Sequence, residues 1–281
     1  MAKLTIAEFY QKSLAETREA NIFAEDIAFL IAERLAMSPS QFRLHQNQEL
    51  TAAELTQLQA DLARIKAGES VQYILGFAYF YNRQFQVSPA TLIPRFDTEE
   101  LVLFVLENLT DSQKILDLGT GSGIIAATLA LESPLPQEIM ATDISAAALA
   151  VAEANFEQFQ LAIATKQNDL LTGLGKFDVI VSNPPYIKLS EKDVMDDSVL
   201  SNEPELALFA GVDGLDFYRR FADQVDEHLT ANGMFFLEFG YAQKDALAQL
   251  FQEKLPNYHL EFRQDLSGHD RVVRGVKGNG N

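Results

Sequence analysis

Asn183-Pro184-Pro185-Tyr186 places one amide side chain, two imide rings and one phenol within four residues. The prolines fix φ near about −65° and remove two N–H donors, so their positions offer acceptors without donors. Asn183 Oδ1 and the Pro184 carbonyl can together take both hydrogens of a planar –NH2 group. An amino or amide nitrogen needs that grip while it receives a methyl group. The preceding run, Phe177-Asp178-Val179-Ile180-Val181-Ser182, is apolar and β-branched, and predicts a buried parallel strand that delivers the four residues at its end. Asn-Pro pairs also open ordinary turns, so a plain strand exit is the other reading.

A second motif lies upstream. Ile115-Leu116-Asp117-Leu118-Gly119-Thr120-Gly121-Ser122-Gly123, followed by Ile124-Ile125-Ala126-Ala127-Thr128-Leu129-Ala130, predicts a strand, a glycine turn and an apolar helix. That is the opening of a nucleotide-binding βαβ unit, in which glycine lets the backbone approach a ligand. The next strand, Ile139-Met140-Ala141-Thr142, ends at Asp143, about twenty residues on, where a carboxylate can bind ribose hydroxyls. Ile124 stands where a dinucleotide site has its third glycine. A ligand without a pyrophosphate has less need of that glycine, so S-adenosylmethionine fits better than NAD. Gly119, Thr120, Gly121, Ser122, Gly123 and Asp143 are therefore the candidate cofactor residues.

The 281 residues suggest two domains, and 47% hydrophobic residues suffice for a sizeable core. With no cysteine, disulfides, zinc-thiolate sites and thiol catalysis are excluded, and no metal is expected. Lys and Arg number 22 against 40 Asp and Glu, a net charge of −18, and no basic run appears. Long-range attraction to nucleic acid is disfavoured, whereas a basic protein partner would be steered in. Met1-Ala2-Lys3-Leu4-Thr5 shows no signal peptide, and no apolar run approaches the roughly 18 residues of a membrane span. A soluble cytoplasmic protein is expected.

These motifs need elements to hold them. Residues 1–75 read as a small helical domain. Thr5-Ile6-Ala7-Glu8 and Thr51-Ala52-Ala53-Glu54 have capping-box spacing, and Asn21 is a candidate cap for a helix carrying Ile27, Leu30, Ile31 and Leu35. Residues 76–95 predict an aromatic-rich β-hairpin turning near Asn82-Arg83, suited to domain packing or to base stacking. Asp97 is the expected N-cap of the next helix, with Glu100 at its third position. From about residue 113 strands and helices alternate, as in a doubly wound sheet. A helix is expected over 215–229, a strand at 234–239, a helix near 243–255, and closing strands at 258–262 and 271–276. Residues 187–211, including Asp196 and Asp197, lack periodicity and read as a binding loop. Residues 278–281 are an expected frayed tail.

On these residues the chain resembles the release-factor glutamine methyltransferases, the protein-(glutamine-N5) methyltransferase family. The likeness spans nearly the whole chain: Tyr73-Ile74-Leu75-Gly76, Leu92-Ile93-Pro94-Arg95 with Asp97-Thr98-Glu99, the Gly119–Gly123 loop and Asn183-Pro184-Pro185-Tyr186-Ile187. Glu203-Pro204, Asp213-Gly214-Leu215, Tyr218-Arg219, Leu237-Glu238 and Asp265-Leu266-Ser267-Gly268 also fit. The resemblance implies an α/β architecture: a helical domain (1–75), a β-hairpin linker (76–95) and a Rossmann-like seven-stranded S-adenosylmethionine-dependent methyltransferase domain (96–277). It implies a substrate too, the glutamine of a Gly-Gly-Gln loop in class 1 peptide chain release factors. A monomer is the default expectation, and charge and hydropathy leave no stable nucleic-acid or membrane contact expected. Asn183, Pro184, Pro185 and Tyr186 become the catalytic and substrate-binding residues, Tyr186 on the flat amide. Asp169 and Leu170 fall beside adenine, and Asn183 also borders the cofactor. Three departures stand out. Phe96 replaces a usual proline, Asn82 a frequent glycine, and Asn168-Asp169-Leu170-Leu171 lacks an aromatic found in some relatives. The rival readings are a nucleic-acid N6-adenine methyltransferase, an NAD-type oxidoreductase, and a release-factor binder without turnover. The charge opposes the first, the glycine pattern and Asn-Pro-Pro-Tyr the second, and intact Asn183 with its glycine loop the third.

Overall fold

The computed structural model describes residues 4–17, 22–194, 200 and 202–278; Asn21, Asp196, Asp197 and residues 279–281 lie outside them. The chain forms two compact units, Met1–Gly76 with Asp196–Asn202, and Phe77–Met195 with Glu203–Asn281.

The first unit is helical: α1 (Ile6–Thr17), α2 (Ala24–Arg34), α3 (Pro39–Leu44), α4 (Ala52–Lys66) and α5 (Val71–Leu75). Both expected capping boxes form, Thr5 with Glu8 and Thr51 with Glu54. A third, Ser38 with Gln41, starts the unforeseen α3, behind Pro39 in the first turn. Ile6, Phe9, Ile27, Leu30, Ile31, Leu58, Leu62 and Ile65 make one apolar core, the set that helical periodicity selects. Beside it the buried Asp61 carboxylate binds Arg34 Nε at 2.7 Å, and Arg34 Nη2 donates to the Ile74 carbonyl at 3.0 Å.

The second unit opens with an antiparallel hairpin, β1 (Phe77–Phe80) and β2 (Arg83–Gln86). Its turn residues are Tyr81 and Asn82, one position earlier than expected, with φ of +49° and +58°. Two-residue hairpin turns favour positive φ because it matches strand twist, and asparagine tolerates it well in place of glycine. Phe80 and Phe85 are buried against α6 (Asp97–Asn108) and the sheet, so packing rather than base stacking explains these two aromatics.

The sheet has the order β5-β4-β3-β6-β7-β9-β8. The parallel strands are β3 (Lys114–Leu118), β4 (Glu138–Asp143), β5 (Ala164–Gln167), β6 (Phe177–Ser182) and β7 (Leu229–Glu238). β9 (Asp270–Lys277) inserts antiparallel between β7 and β8 (Tyr258–Gln264). α7 (Ile124–Glu132) and α8 (Ala146–Gln158) pack with α6 on one face of the sheet. α10 (Asp216–Ala222), α11 (Val225–His228) and α12 (Lys244–Lys254) pack on the other. The expected single helix over 215–229 is broken at Asp223-Gln224, where Gln224 Oε1 accepts the Leu171 N–H at 3.3 Å. Residues 187–211 carry a 3₁₀ turn (Leu189–Val194) and α9 (Glu205–Leu208), and Ile187 bridges to Phe209. The chain order reverses between β3 and β6, the place where open α/β sheets bind ligands beyond their strand ends.

One local expectation fails. Phe96, not Asp97, precedes the first helical residue of α6, and no side chain caps that helix. Asp97 instead pairs with Arg271 of β9 at 3.1 Å, and Glu100 with Arg263 of β8. Phe96 has φ of −61°, the value a proline imposes, so its departure from the family pattern leaves the backbone course intact.

Candidate active site

The glycine loop is pinned to the neighbouring strand by its own backbone. Gly119 and Thr120 N–H both donate to the Thr142 carbonyl, at 2.8 and 2.9 Å. Gly119 and Gly121 have φ of +72° and +55°. A Cβ on Gly121 would meet nothing within 4 Å, and one on Gly119 only Ser182 Oγ at 4.0 Å. Glycine leaves that space open beside bare backbone. Gly123 differs, because a Cβ there would lie 2.7 Å from the Phe156 ring of α8. Beneath the loop, the buried Asp117 Oδ2 accepts from Thr120 Oγ1 at 2.6 Å and from Ala126 N–H at 3.0 Å. Burial pushes its carboxyl up to about 7, against the pull of those two hydrogen bonds.

Asp143 closes β4, and its two oxygens accept from the Gly121 N–H at 2.9 Å and the Ser145 N–H at 2.8 Å. Beyond the strand ends lies a cavity of about 350 Å³. Gly119, Gly121 and Asp143 form one part of its wall, and Ile144, Ala148, Leu170 and Phe217 an apolar part. Asn183, Pro184 and Pro185 form another part of that wall. Open glycine backbone, a carboxylate with free lone pairs and an apolar wall suit an amino-acid moiety, a ribose and a purine in turn. The donor set fits S-adenosylmethionine.

The Asn-Pro-Pro-Tyr segment is braced from three directions. Ser182 Oγ donates to the Leu118 carbonyl at 2.5 Å, joining the ends of β6 and β3. Asn183 Nδ2 donates to Thr98 Oγ1 of α6 at 2.9 Å. The Tyr186 carbonyl accepts from Gln243 Nε2 at 2.9 Å, and the same amide reaches the Gly214 carbonyl at 3.2 Å.

Comparison with known proteins agrees with this geometry. Residues 10–76 match the family model "PrmC N-terminal domain", and residues 96–206 match "Methyltransferase small domain". The release factor glutamine methyltransferase of Lactococcus lactis is 44% identical over 80% of this chain and 84% of its own length. That of Streptococcus pneumoniae is 39% identical over 89% and 90%. The chain belongs to the release factor glutamine methyltransferase family. Its fold is also that of a methyltransferase from Pyrococcus furiosus, at TM-score 0.54 and 17% identity, covering 81% of this chain and 100% of that one.

For this family member the cavity gathers Gly119, Gly121, Asp143, Asp169, Leu170, Asn183, Pro184 and Pro185 from the sequence-derived candidates. Thr120, Ser122, Gly123 and Tyr186 are not part of its lining. Thr120 and Ser122 are buried, Gly123 packs on α8, and Tyr186 joins the core face beside α12. Asp169 is engaged by Arg220 at 2.7 Å. An aromatic ring absent from residues 168–171 is present on the cavity wall in Phe217, beside Leu170 in the same lining. Leu170 takes a φ of +50°, a left-handed conformation uncommon for a large side chain. Sequence reasoning missed Ile144 and Phe217. Ile144 directly follows Asp143, its one signal in the sequence, and is half exposed in the structure.

Proposed function

We propose that this chain methylates the side-chain amide nitrogen (N5) of the glutamine in the Gly-Gly-Gln motif of class 1 peptide chain release factors. The observation that carries the reading is the shared chamber: Asn183, Pro184 and Pro185 line the same cavity as Gly119, Gly121 and Asp143. Bound S-adenosylmethionine supplies an electrophilic methyl group. Asp143 would hold the ribose hydroxyls, the Gly119 and Gly121 backbone the amino-acid part, and Leu170 with Phe217 the adenine.

An amide nitrogen is a poor nucleophile because its lone pair is delocalised. Asn183 Oδ1 and the Pro184 carbonyl accept its two hydrogens and turn the lone pair toward the methyl carbon. As the nitrogen gains positive charge those hydrogen bonds strengthen, so they favour the transition state over the ground state. The N–C bond forms as the methyl–sulfur bond breaks, S-adenosylhomocysteine is the leaving group, and the strongly acidic N-methylated amide cation gives up its proton to water. No histidine base is needed, and none of the four histidines lines the cavity. Tyr186 acts as a brace for the turn, through its carbonyl and its partly buried ring.

In this reading the enzyme is a cytoplasmic monomer that meets a protein substrate, without stable nucleic-acid or membrane partners. Residues 1–75 dock the substrate or brace the fold, residues 76–95 link, and residues 96–277 carry the chemistry. The net charge of −18 supports a protein rather than a nucleic acid as substrate. Among the described residues, no helix is long and apolar enough to cross a membrane.

The test is methyl transfer from labelled S-adenosylmethionine to a purified class 1 release factor, its Gly-Gly-Gln Gln→Ala variant, and adenine-containing DNA and RNA. Label on the intact factor alone is expected, and Asn183→Ala should abolish it with cofactor affinity within a few-fold. Label on nucleic acid alone would overturn the substrate.

A further inference from the structure

Asn183 can use its side chain as an acceptor toward substrate only if its NH2 group is committed elsewhere, because the two ends of the amide are nearly the same shape. Its surroundings make that commitment. Asn183 Nδ2 donates to Thr98 Oγ1 at 2.9 Å. The Glu238 carboxylate lies against the Asn183 and Thr98 side chains, and both favour its ionised form. Glu238 is the last residue of β7, only 1% exposed, and β6 pairs with β7 through Ser182 and Leu237, the residues just before Asn183 and Glu238. Thr98 comes from the first turn of α6 and is as deeply buried. Two other elements, α6 and β7, thus meet behind the Asn183 side chain, which borders the cavity.

An ionised carboxylate has acceptors and no donor. It can therefore take one Asn183 N–H while Thr98 Oγ1 takes the other and turns its own O–H toward Glu238, which leaves Oδ1 for the cavity. A glutamine at 238 would offer a donor as readily as an acceptor, and the Asn183 amide could then sit either way round. We infer that Glu238 is a positioning residue, which, with Thr98 as relay, fixes the Asn183 amide so that its oxygen meets the substrate N–H. The inference rests on the methyl-transfer reading above and adds what sets the orientation of its central acceptor.

The same arrangement makes the device sensitive to protonation, since a Glu238 O–H would restore a donor behind Asn183. Burial raises the Glu238 carboxyl to about 7, while Thr98, Arg271 and Asn183 pull it down and Asp97 pushes it up. The charged and titratable groups facing it are Asp97 of α6, Arg271 of β9, Tyr186 after β6 and Tyr218 of α10. Glu238 Oε2 has no hydrogen-bond partner among the described residues, so a proton there breaks no contact.

The experiment compares wild type, Glu238→Gln and Thr98→Val in three readouts. These are kcat for release-factor methylation from pH 5.5 to 9, S-adenosylmethionine affinity by calorimetry, and the Asn183 side-chain amide resonances by NMR of the free protein. The wild-type kcat should fall on the acid side with an apparent pKa near 7, and the Asn183 amide should titrate with it. Glu238→Gln should lower kcat at pH 8 on the order of 10–100-fold, keep cofactor affinity within about threefold, and lose both the acid limb and the amide titration. If Glu238→Gln does not unfold cooperatively, Thr98→Val decides, by the same loss of kcat with cofactor affinity kept. An unchanged kcat and acid limb in the folded variant would overturn the inference, as would a kcat loss matched by an equal loss of cofactor affinity. A wild type inert toward release factor would overturn the functional reading instead. The amide titration, present in wild type and absent from Glu238→Gln, would still report the positioning.

Discussion

At the scale of single residues, the loop that receives the cofactor is held from below by a carboxylate with unfavourable solvation. Asp117 is fully buried, its Oδ1 has no partner among the described residues, and its carboxyl is raised to about 7. The folded state therefore holds the Asp117 proton more tightly than the unfolded chain does. The stability this confers is complete below the ordinary carboxylate range near 4, and is lost as pH rises to about 7. Asp117→Asn should remove that dependence. Measured by urea unfolding at pH 4 and pH 8, the variant should gain roughly 3–4 kcal/mol relative to wild type between the two conditions. The fixed cost of an unpaired amide N–H cancels in that difference. A wild-type-to-variant gap that stays constant with pH would show that Asp117 is not the titrating group.

At the scale of elements, the Asp213-Gly214-Leu215 turn explains how a distant motif governs the Asn-Pro-Pro-Tyr segment. Gly214 has φ of +76°, and a Cβ there would lie 2.4 Å from the Tyr186 carbonyl oxygen and 2.5 Å from Gln243 Nε2. Backbone oxygen cannot yield as a flexible side chain can, so Gly214→Ala must displace the turn that holds Pro184 and Asn183. A stability loss of about 2–4 kcal/mol is expected from strain and the broken Gln243 bridge. In protein that remains folded, methyl transfer should fall at least tenfold with cofactor affinity nearly kept, since Gly214 does not line the cavity. Wild-type turnover in that variant would remove the turn from the argument. Local signals reveal some elements and hide others for definite reasons. β3 and β6 were legible because strands buried on both faces read as continuous apolar runs. β5 was not: Ala164-Thr165-Lys166-Gln167 is a short polar strand at the sheet edge, with no pattern to find. Asp97 looked like a cap because its spacing to Glu100 is local, whereas the partners that claim both residues, Arg271 and Arg263, arrive from the far end of the chain. Glu238 was readable as part of a motif, but its purpose depends on two other elements meeting it.

At the scale of the whole molecule, the surplus of 40 acidic over 22 basic side chains bears on how substrate arrives rather than on the chemistry. Surface pairs such as Arg219 with Asp213 and Lys192 with Glu205 occupy some of the available cations, so the field around the protein is set largely by uncompensated carboxylates. Such a field accelerates encounter with a basic partner and slows it with nucleic acid, and salt screens both effects within about 10 Å at 0.1 M ionic strength. If the substrate is a protein met through a basic surface, kcat/KM should fall roughly tenfold between 50 and 300 mM salt. Turnover at saturating substrate should stay constant, because the buried groups around Asn183 are shielded from the ions. Steady-state kinetics across a salt series separates the two terms. A kcat/KM that is flat or rises with salt would mean that recognition rests on apolar contacts or on a like-charged partner. A fall confined to kcat would place the salt-sensitive step after binding, and the long-range field would then have no part in choosing the substrate.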